Sequence, residues 1–253
     1  MSFIQWNFQS ESLKISTSAN IILPQKSVQR GRKIPVLYLL HGLSDDHTIW
    51  QRRTAIERYA ERSNIIVIMP AVNRSFYTNS ANGNLYWDFV SRELPDLCRK
   101  FFPISEKRAE TFVAGLSMGG YGAFKLALTQ PNRFAAAASL SGTLDIVKRF
   151  EKSQCDASTK QEMDNIFGSD QNLSGSDNDL FFLLKNLSHR TRRPKLFQWC
   201  GTEDFLYADN KKFYNHAKKL GIDVNYSQSP GAHTWDHWDE QISNVINWLP
   251  INH

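Results

Sequence analysis

The first thirty residues alternate between apolar and polar side chains. Ile4, Trp6 and Phe8 lie at every second position, and Leu13 and Ile15 resume the alternation after a polar break. A period of two is typical of strands that bury one face. The N-terminal segment is therefore predicted to form antiparallel strands.

From Pro35 onwards the alternation gives way to short, nearly continuous apolar runs. Runs of this kind are typical of strands that are buried on both faces, as in a parallel sheet covered by helices. They cover residues 36–40, 65–69, 112–114, 134–140 and 195–199, and residues 224–227 predict a last, weaker strand.

Amphipathic segments separate the apolar runs and predict helices over 48–61, 85–101, 118–130, 207–220 and 234–249. The last one is the clearest, because its apolar residues recur at helical spacing and form one stripe. Alternation of strands and helices predicts an α/β fold with a mainly parallel sheet and helices on both faces.

Residues 142–193 interrupt this alternation. They contain no strong strand, but helical fragments at 144–152, 160–167 and 178–187, joined by segments rich in Ser, Asp and Asn. Each fragment is too short to bury a core of its own. We therefore expect one domain over residues 1–253, with a small helical insertion at about 142–193.

The composition is that of a globular protein. Among 253 residues, 41% are hydrophobic, including 7 Trp, 8 Tyr and 16 Phe, which excludes an intrinsically disordered chain. The apolar stretch 65–72 is far shorter than the roughly 20 residues that span a bilayer. The N-terminus also lacks the basic region and the long apolar segment of a signal peptide.

Three cysteines, Cys98, Cys155 and Cys200, lie at wide spacings. They predict neither a disulfide framework nor a metal knuckle, which is typical of a reducing compartment. We therefore predict a cytoplasmic protein with no membrane partner. Cys200 is interpreted as a small buried apolar residue, the usual role of a free cysteine.

The net charge is only slightly positive, with 30 Lys and Arg against 25 Asp and Glu, or +5. The densest basic segment is interpreted as a solvated connector, because no nucleic-acid-binding module accompanies it. No nucleic-acid partner is expected. The segment comprises Lys185, Arg190, Arg192, Arg193 and Lys195.

The sharpest motif is Gly-Leu-Ser-Met-Gly at residues 115–119. It matches G-x-S-x-G, in which a serine on a tight strand-to-helix turn is presented at the edge of a sheet. A short apolar run precedes Ser117 and a good helix-forming segment follows it, as that geometry requires. Ser117 is therefore the candidate nucleophile.

A serine nucleophile needs a general base, and the base needs an orienting acid. In folds with this turn the acid follows a later strand, and the histidine comes last. His233 stands in the expected place, after the last predicted strand. Glu203 and Asp204 both follow the strand at 195–199, and the spacing does not separate them. Asp236 is a third candidate, but from a helix position beside His233 it would not easily reach the other imidazole nitrogen.

The negative charge that develops during acyl transfer needs two backbone N–H donors. Met118, directly after the serine, is expected to supply one. The loop after the first parallel strand, His-Gly-Leu-Ser at 41–44, is expected to supply the other from Leu43.

His233 and His237 are four apart, but the segment His-Thr-Trp-Asp-His lacks the glutamate of a zinc-protease helix, so no metal is expected.

Several aromatic residues are candidates for the wall of a substrate pocket. For each of them, packing in the core is the alternative interpretation. They are Trp50, Tyr86, Trp87 and Trp235.

Six segments, in order, resemble the esterase D branch of the α/β-hydrolases, and within it the bacterial tributyrin esterases. Together they extend from about residue 35 to the C-terminus. They are Leu-Tyr-Leu-Leu-His-Gly-Leu-Ser-Asp-Asp with Trp50, Pro-Ala-Val-Asn-Arg-Ser-Phe-Tyr-Thr-Asn, Trp-Asp-Phe-Val-Ser-Arg-Glu-Leu-Pro, Gly-Leu-Ser-Met-Gly-Gly-Tyr-Gly-Ala-Phe-Lys-Leu-Ala, Cys-Gly-Thr-Glu-Asp-Phe-Leu-Tyr and Gly-Ala-His-Thr-Trp-Asp-His-Trp.

The resemblance implies an α/β-hydrolase fold with Ser117 as nucleophile, His233 as base and Asp204 as acid. It implies an oxyanion hole from the Leu43 and Met118 amides, no cofactor, and short acyl esters as substrates. Related members hydrolyse S-formylglutathione, acetylated sugars or feruloyl esters, and often form homo-oligomers. The resemblance is weakest over 142–193, which is expected to shape the acyl pocket.

Three hypotheses follow. The first is a serine carboxylesterase for short-chain acyl esters. The second is a related enzyme with the same triad, either a thioesterase of the S-formylglutathione hydrolase type or an acetyl or feruloyl sugar esterase. The third is a hydrolase fold that binds a ligand without catalysis.

Overall fold

Eight strands form one sheet in this computed structural model, which describes residues 1–29, 33–169 and 171–251. Their order across the sheet is β1-β2-β4-β3-β5-β6-β7-β8. The strands are β1 Ser2–Ser10, β2 Ile15–Leu23, β3 Val36–Leu40, β4 Ile66–Pro70, β5 Thr111–Leu116, β6 Ala136–Leu140, β7 Lys195–Gly201 and β8 Val224–Ser229.

The directions of the strands confirm the predicted fold class. β1 and β2 pair antiparallel, and β2 joins the rest of the sheet antiparallel to β4. Every pairing from β4 to β8 is parallel. The carboxyl ends of these parallel strands therefore lie along one edge, which is where ligands bind in sheets of this type.

Helices cover both faces of the sheet, as the amphipathic segments predict. A π-helical turn, Phe89–Glu93, connects α4 to α5. In the described ranges the helices are α1 Gln25–Gln29, α2 Ile49–Arg53, α3 Ile56–Arg62, α4 Tyr86–Asp88, α5 Leu94–Phe101, α6 Met118–Thr129, α7 Ile146–Ser153, α8 Ala157–Phe167, α9 Leu180–Ser188, α10 Tyr207–Lys219 and α11 Trp235–Trp248.

Two apolar cores lie on the two faces of the sheet. Tyr38 and Leu40 of β3 enter one core, and Leu37 and Leu39 enter the other. All five residues of β3 are buried, because successive side chains of a strand point to opposite faces and both faces are covered. This explains why the central strands are continuous apolar runs, whereas β1 has the alternating burial of a one-sided strand.

The predicted helix over 48–61 is wrong as one element, because the chain forms α2 and α3 with a break between them. Thr54 is extended, and its hydroxyl donates to the Trp50 carbonyl oxygen. The amide of the next residue, Ala55, donates to Asp239 Oδ1 of α11 at 2.9 Å. A carboxylate from a distant helix thus satisfies the amide that the break leaves free, and local periodicity carries no signal for such a contact.

The segment 142–193 contributes α7, α8 and α9 to the side of the sheet that α6 covers. Phe150, Met163 and Leu184, one from each helix, belong to the same apolar core as Phe124 of α6. The helices of this segment therefore share the main core. In the described part of the chain, no helix is long and apolar enough to cross a membrane.

Gly119, in the first turn of α6, lies against the backbone at the end of β3. A Cβ there would lie 2.7 Å from the carbonyl oxygen of His41 and closer still to that of Leu40. Both obstacles are main-chain atoms, so neither moves without displacing the strand end. We expect Gly119→Ala to lower the free energy of unfolding by about 3 kcal/mol or more, the upper end of overpacking costs. Urea unfolding followed by circular dichroism measures it.

Gly175→Ala is the matched control, because a Cβ at Gly175 has nothing within 4 Å and meets only the strain of a φ of +76°. A loss of about 1 kcal/mol is expected there. Equal losses for the two variants would contradict the close approach of α6 to β3.

Candidate active site

Ser117 occupies the turn between β5 and α6. Its backbone has φ +51° and ψ −117°, which an L residue rarely adopts. The turn is held on both sides: the amide of Ser117 donates to the Leu140 carbonyl at 2.9 Å, and its own carbonyl accepts from the Thr143 amide at 3.1 Å. Strain of this kind is common at functional sites, where the surrounding structure fixes it.

Asp204 follows β7 and lies against His233, which follows β8. Asp204 Oδ2 is 2.7 Å from His233 Nδ1, and Asp204 Oδ1 accepts the Leu206 amide at 2.8 Å. The carboxylate of Asp204 is fully shielded from solvent, and the imidazole is 20% exposed. Burial raises the pKa of Asp204, but hydrogen bonds from His233, Leu206 and Ser141 outweigh it and hold that pKa below its usual value.

Glu203 and Asp236, the alternative candidates for the acid, do not contact His233 through a hydrogen bond among the described residues. Glu203 Oε2 accepts the Gly231 amide at 2.6 Å, and the Glu203 amide donates to the Gly231 carbonyl at 3.0 Å. Glu203 thus joins the loop after β7 to the loop that carries His233. Asp236 is exposed on the first turn of α11.

Ser117 and His233 line one cleft of about 310 Å³ at the carboxyl edge of the sheet. Among the hydrogen bonds of the described residues, none joins Ser117 Oγ to His233, which is common in enzymes without bound substrate. The remaining walls are mostly apolar, with a few polar groups. They include Gly42, Leu43, Ser44, Asp45, Phe76, Leu116, Met118, Thr143, Arg149, Phe205, Trp235 and Trp238.

The predicted oxyanion donors, Leu43 and Met118, both belong to this cleft. The amide of neither residue donates to a backbone or side-chain acceptor in the described parts of the chain. Unpaired amides next to a nucleophile are what stabilisation of an oxyanion requires. The structure thus brings together Ser117, Asp204, His233, Leu43 and Met118.

The loop that carries Leu43 is fixed by His41, which is buried. Its Nε2 accepts the Val72 amide at 3.1 Å, so its proton lies on Nδ1, which donates to the Gly42 carbonyl at 2.7 Å. The Tyr77 hydroxyl donates to the His41 carbonyl at 2.9 Å. Burial, the largest influence, lowers the pKa of His41 to about 4.

This geometry predicts acid sensitivity. The pKa of His41 is about 4 in the folded protein and about 6.5 in the unfolded chain. As the pH falls from 6.5 towards 4, the unfolded chain therefore binds a proton at His41 that the folded protein does not bind. This stabilises the unfolded chain, so the free energy of unfolding decreases over that pH range. The shift corresponds to about 3 kcal/mol. We expect acidification from pH 7 to pH 4 to lower the unfolding free energy of wild type by about 3 kcal/mol more than that of His41→Gln, measured by urea titration. Parallel pH curves would contradict a neutral, buried His41.

Of the predicted aromatic wall residues, Trp235 lines the cleft and the others do not. The expectation is wrong for Trp50, which is fully buried, donates from Nε1 to the Leu40 carbonyl at 3.0 Å and packs under Trp235. Tyr86 is buried beside a different groove, where its hydroxyl accepts from Asn73 at 2.6 Å. Trp87 packs against the core, with the Lys125 ammonium 4.7 Å above its ring.

Sequence reasoning missed several cleft residues, among them Phe76, Thr143, Arg149 and Phe205. Phe205 is 71% exposed, and its ring centroid lies 4.6 Å from that of His233. The backbone of Phe76 has a φ of +48°, and the spacing of apolar residues along the chain does not indicate such a conformation. Phe76 and Phe205 lie in segments that carry the family resemblance, which was the one available signal for them.

Cys200 is buried, as interpreted, and burial raises the pKa of its thiol to about 12. Such a thiol stays protonated and unreactive at neutral pH. Within the residues that the structure describes, no three His, Cys, Asp or Glu side chains are grouped so that they could hold a metal ion.

Comparison with known proteins gives concordant results. A family model described as "Putative esterase" matches residues 10–249. An acetyl esterase of Caldicellulosiruptor saccharolyticus is 35% identical over an alignment of 262 positions that covers 98% of each chain.

Two solved structures are also similar. A fluorophosphonate-binding serine hydrolase of Staphylococcus aureus, solved with substrate bound, has 34% identity, 99% coverage of both chains and a TM-score of 0.91. An S-formylglutathione hydrolase of Staphylococcus aureus has 34% identity, 98% coverage of both chains and a TM-score of 0.88.

Proposed function

Because this chain belongs to the esterase family and has carboxylesterase relatives over its whole length, we propose that it hydrolyses short-chain acyl esters through an acyl-enzyme on Ser117. The observation that carries the proposal is the 2.7 Å contact of Asp204 with His233 in the cleft that Ser117 lines. A small-molecule ester is the substrate class of the family. That this protein is one of the tributyrin esterases stays a prediction.

In the first half of the reaction, Ser117 Oγ attacks the ester carbonyl carbon while His233 Nε2 takes the hydroxyl proton. The carbonyl oxygen becomes an oxyanion and accepts hydrogen bonds from the Leu43 and Met118 amides. The tetrahedral intermediate collapses, the C–O bond to the alcohol breaks, and His233 returns its proton to the leaving oxygen. Asp204 holds the imidazole in position and stabilises its charged form.

In the second half, water takes the place of the alcohol. His233 removes a proton from water, the hydroxide oxygen attacks the acyl carbon, and the same two amides stabilise the oxyanion. Collapse releases the acid and returns the proton to Ser117. No cofactor is needed for either half.

The size of the cleft supports short acyl chains. A volume of about 310 Å³ is at the lower end of small-molecule pockets, and the walls of Phe76, Leu116 and Trp235 limit it. The acetyl esterase relative points the same way. A series of p-nitrophenyl esters from acetate to decanoate tests this. We expect kcat/KM to be highest for acetate or butyrate, and a maximum at decanoate would contradict the proposal.

A thioesterase is the second candidate, because a relative of known structure with 34% identity is an S-formylglutathione hydrolase. The same triad would serve a thioester. S-formylglutathione hydrolysed orders of magnitude faster than p-nitrophenyl acetate would favour this candidate. Comparable rates would favour the carboxylesterase.

We also propose that the chain folds as one domain, since one eight-stranded sheet extends from β1 to β8 and the helices of 142–193 share its core. A cooperative unfolding transition that is the same by fluorescence and circular dichroism is expected. Cytoplasmic location and a homo-oligomeric state stay predictions.

A further inference from the structure

A second cavity of about 310 Å³ adjoins the catalytic cleft. It is formed mainly by α7 and α8 of the segment 142–193 and by the start of α10. Three residues, Thr143, Arg149 and Phe205, line both the cleft and this cavity. Arg149 therefore borders both the space in front of Ser117 and the second cavity.

Arg149 is a half-buried cation that forms no side-chain hydrogen bond or ion pair with the residues that the structure describes. Its guanidinium carbon lies 5.5 Å from the centre of the Phe76 ring, which supports one face of the group. Its Nε is shielded from solvent and has no hydrogen-bond partner. Among the described residues, no carboxylate lies within ion-pair distance of it.

The nearby carboxylates are occupied by other groups. Glu162 binds Arg74, Asp209 binds Lys148, and Asp145 binds Lys212. A fourth carboxylate, that of Asp156, accepts the Ser158 amide at 3.1 Å. Every acidic group of the second cavity is therefore engaged elsewhere, and Arg149 is left to a ligand.

The surroundings make the charge of Arg149 costly. Burial lowers the pKa of its guanidinium; Glu162 opposes this effect from beyond contact distance and Arg74 adds to it. An arginine nevertheless stays protonated at neutral pH. A half-buried cation that the protein does not neutralise offers an anion charge-assisted hydrogen bonds, which replace part of the lost hydration.

We propose that Arg149 binds a carboxylate group of the substrate, so that the preferred esters are acidic ones. This rests on the proposed ester hydrolysis at Ser117. The planar guanidinium fits a carboxylate with two parallel hydrogen bonds, and the Phe76 ring limits its rotation. The carboxylate belongs either to the acyl part or to the leaving alcohol, and the two are separated by experiment.

The experiment compares matched charged and neutral esters. 4-Acetoxybenzoate against its methyl ester places the charge on the leaving group. Mono-p-nitrophenyl succinate against p-nitrophenyl methyl succinate places it on the acyl group. The variants are Arg149→Met and Arg149→Lys, with Lys185→Met as control, because Lys185 is an exposed lysine of α9 outside both cavities.

In one of the two pairs, Arg149→Met is expected to lower kcat/KM for the charged ester by about 10- to 100-fold, the usual worth of a charge-assisted hydrogen bond. The neutral ester changes less than about 3-fold. Arg149→Lys retains part of the preference, and Lys185→Met behaves as wild type. For each variant, kcat/KM for the charged ester is divided by kcat/KM for the neutral ester, and this ratio is compared with the same ratio for wild type. Intrinsic differences in reactivity between the esters then cancel.

Two results for Arg149→Met would overturn the proposal. An equal fall in kcat/KM for charged and neutral esters would indicate a structural role, and an unchanged kcat/KM for both would show that Arg149 does not bind the substrate. Failure of the proposed function looks different. In that case wild type hydrolyses none of the four esters, or Ser117→Ala hydrolyses them as fast as wild type.

Discussion

Replacing Ser117 by Ala is expected to abolish ester hydrolysis, with kcat falling by about 10⁴-fold or more. The hydroxyl is the group that we propose to form the acyl-enzyme, and the strained turn at Ser117 places it in the cleft with His233. Residual activity should come from the oxyanion donors and binding alone. The measurement is the steady-state rate with p-nitrophenyl acetate.

A fluorophosphonate probe provides the covalent control. Wild type should be labelled at Ser117 and Ser117→Ala should not, while the urea midpoint of the variant stays near that of wild type. Equal labelling of the two proteins would show that another residue is the nucleophile. Equal and negligible hydrolysis by the two would favour the hypothesis of a ligand-binding protein without catalysis.

The second large effect is expected from Asp204→Asn, which should lower kcat by about 10⁴-fold at neutral pH. The amide keeps the size of the side chain but loses the charge that stabilises the imidazolium. It also presents an N–H donor to Nδ1 of His233, which favours the wrong tautomer. The pH profile of kcat measures the effect, since activity should partly recover at high pH if tautomer and charge are the cause.

Glu203→Gln is the matched control for Asp204→Asn. Its amide oxygen remains able to accept the Gly231 amide that Glu203 now binds, so only the strength of that contact changes. A loss of less than about 10-fold is expected. If Glu203→Gln lost as much activity as Asp204→Asn, the assignment of the acid to Asp204 would be wrong.

Some features of the fold and the site follow from short stretches of the sequence. Fully apolar runs predicted the buried parallel strands, because both faces of β3 to β6 are covered. G-x-S-x-G predicted the turn of Ser117, since only residues without a Cβ allow α6 to approach β3 at Gly119. The order of Ser117 and His233 along the chain followed from the same fold.

Other aspects depend on contacts between distant segments. The carboxylate of Asp239 accepts the amide that the break between α2 and α3 leaves free, and it comes from a helix more than 180 residues away. Trp50 was a candidate for the pocket wall because it is aromatic, but it is fully buried and packs under Trp235. Neither outcome has a signature in the neighbouring sequence.

The sequence by itself determined the fold class and predicted the turn of Ser117 and the histidine that we propose as the base, because strand burial, close backbone approach and chain order are each encoded by a few consecutive residues. Spacing along the chain did not separate Asp204 from Glu203; the family resemblance implied Asp204, and the tertiary structure gives the two carboxylates different partners, His233 and Gly231. Only the tertiary structure placed Arg149 between two cavities, with the carboxylates of the second cavity bound by other groups. Pairing of charges across 60 to 90 residues depends on the packed arrangement of helices, which hydrophobic periodicity does not specify.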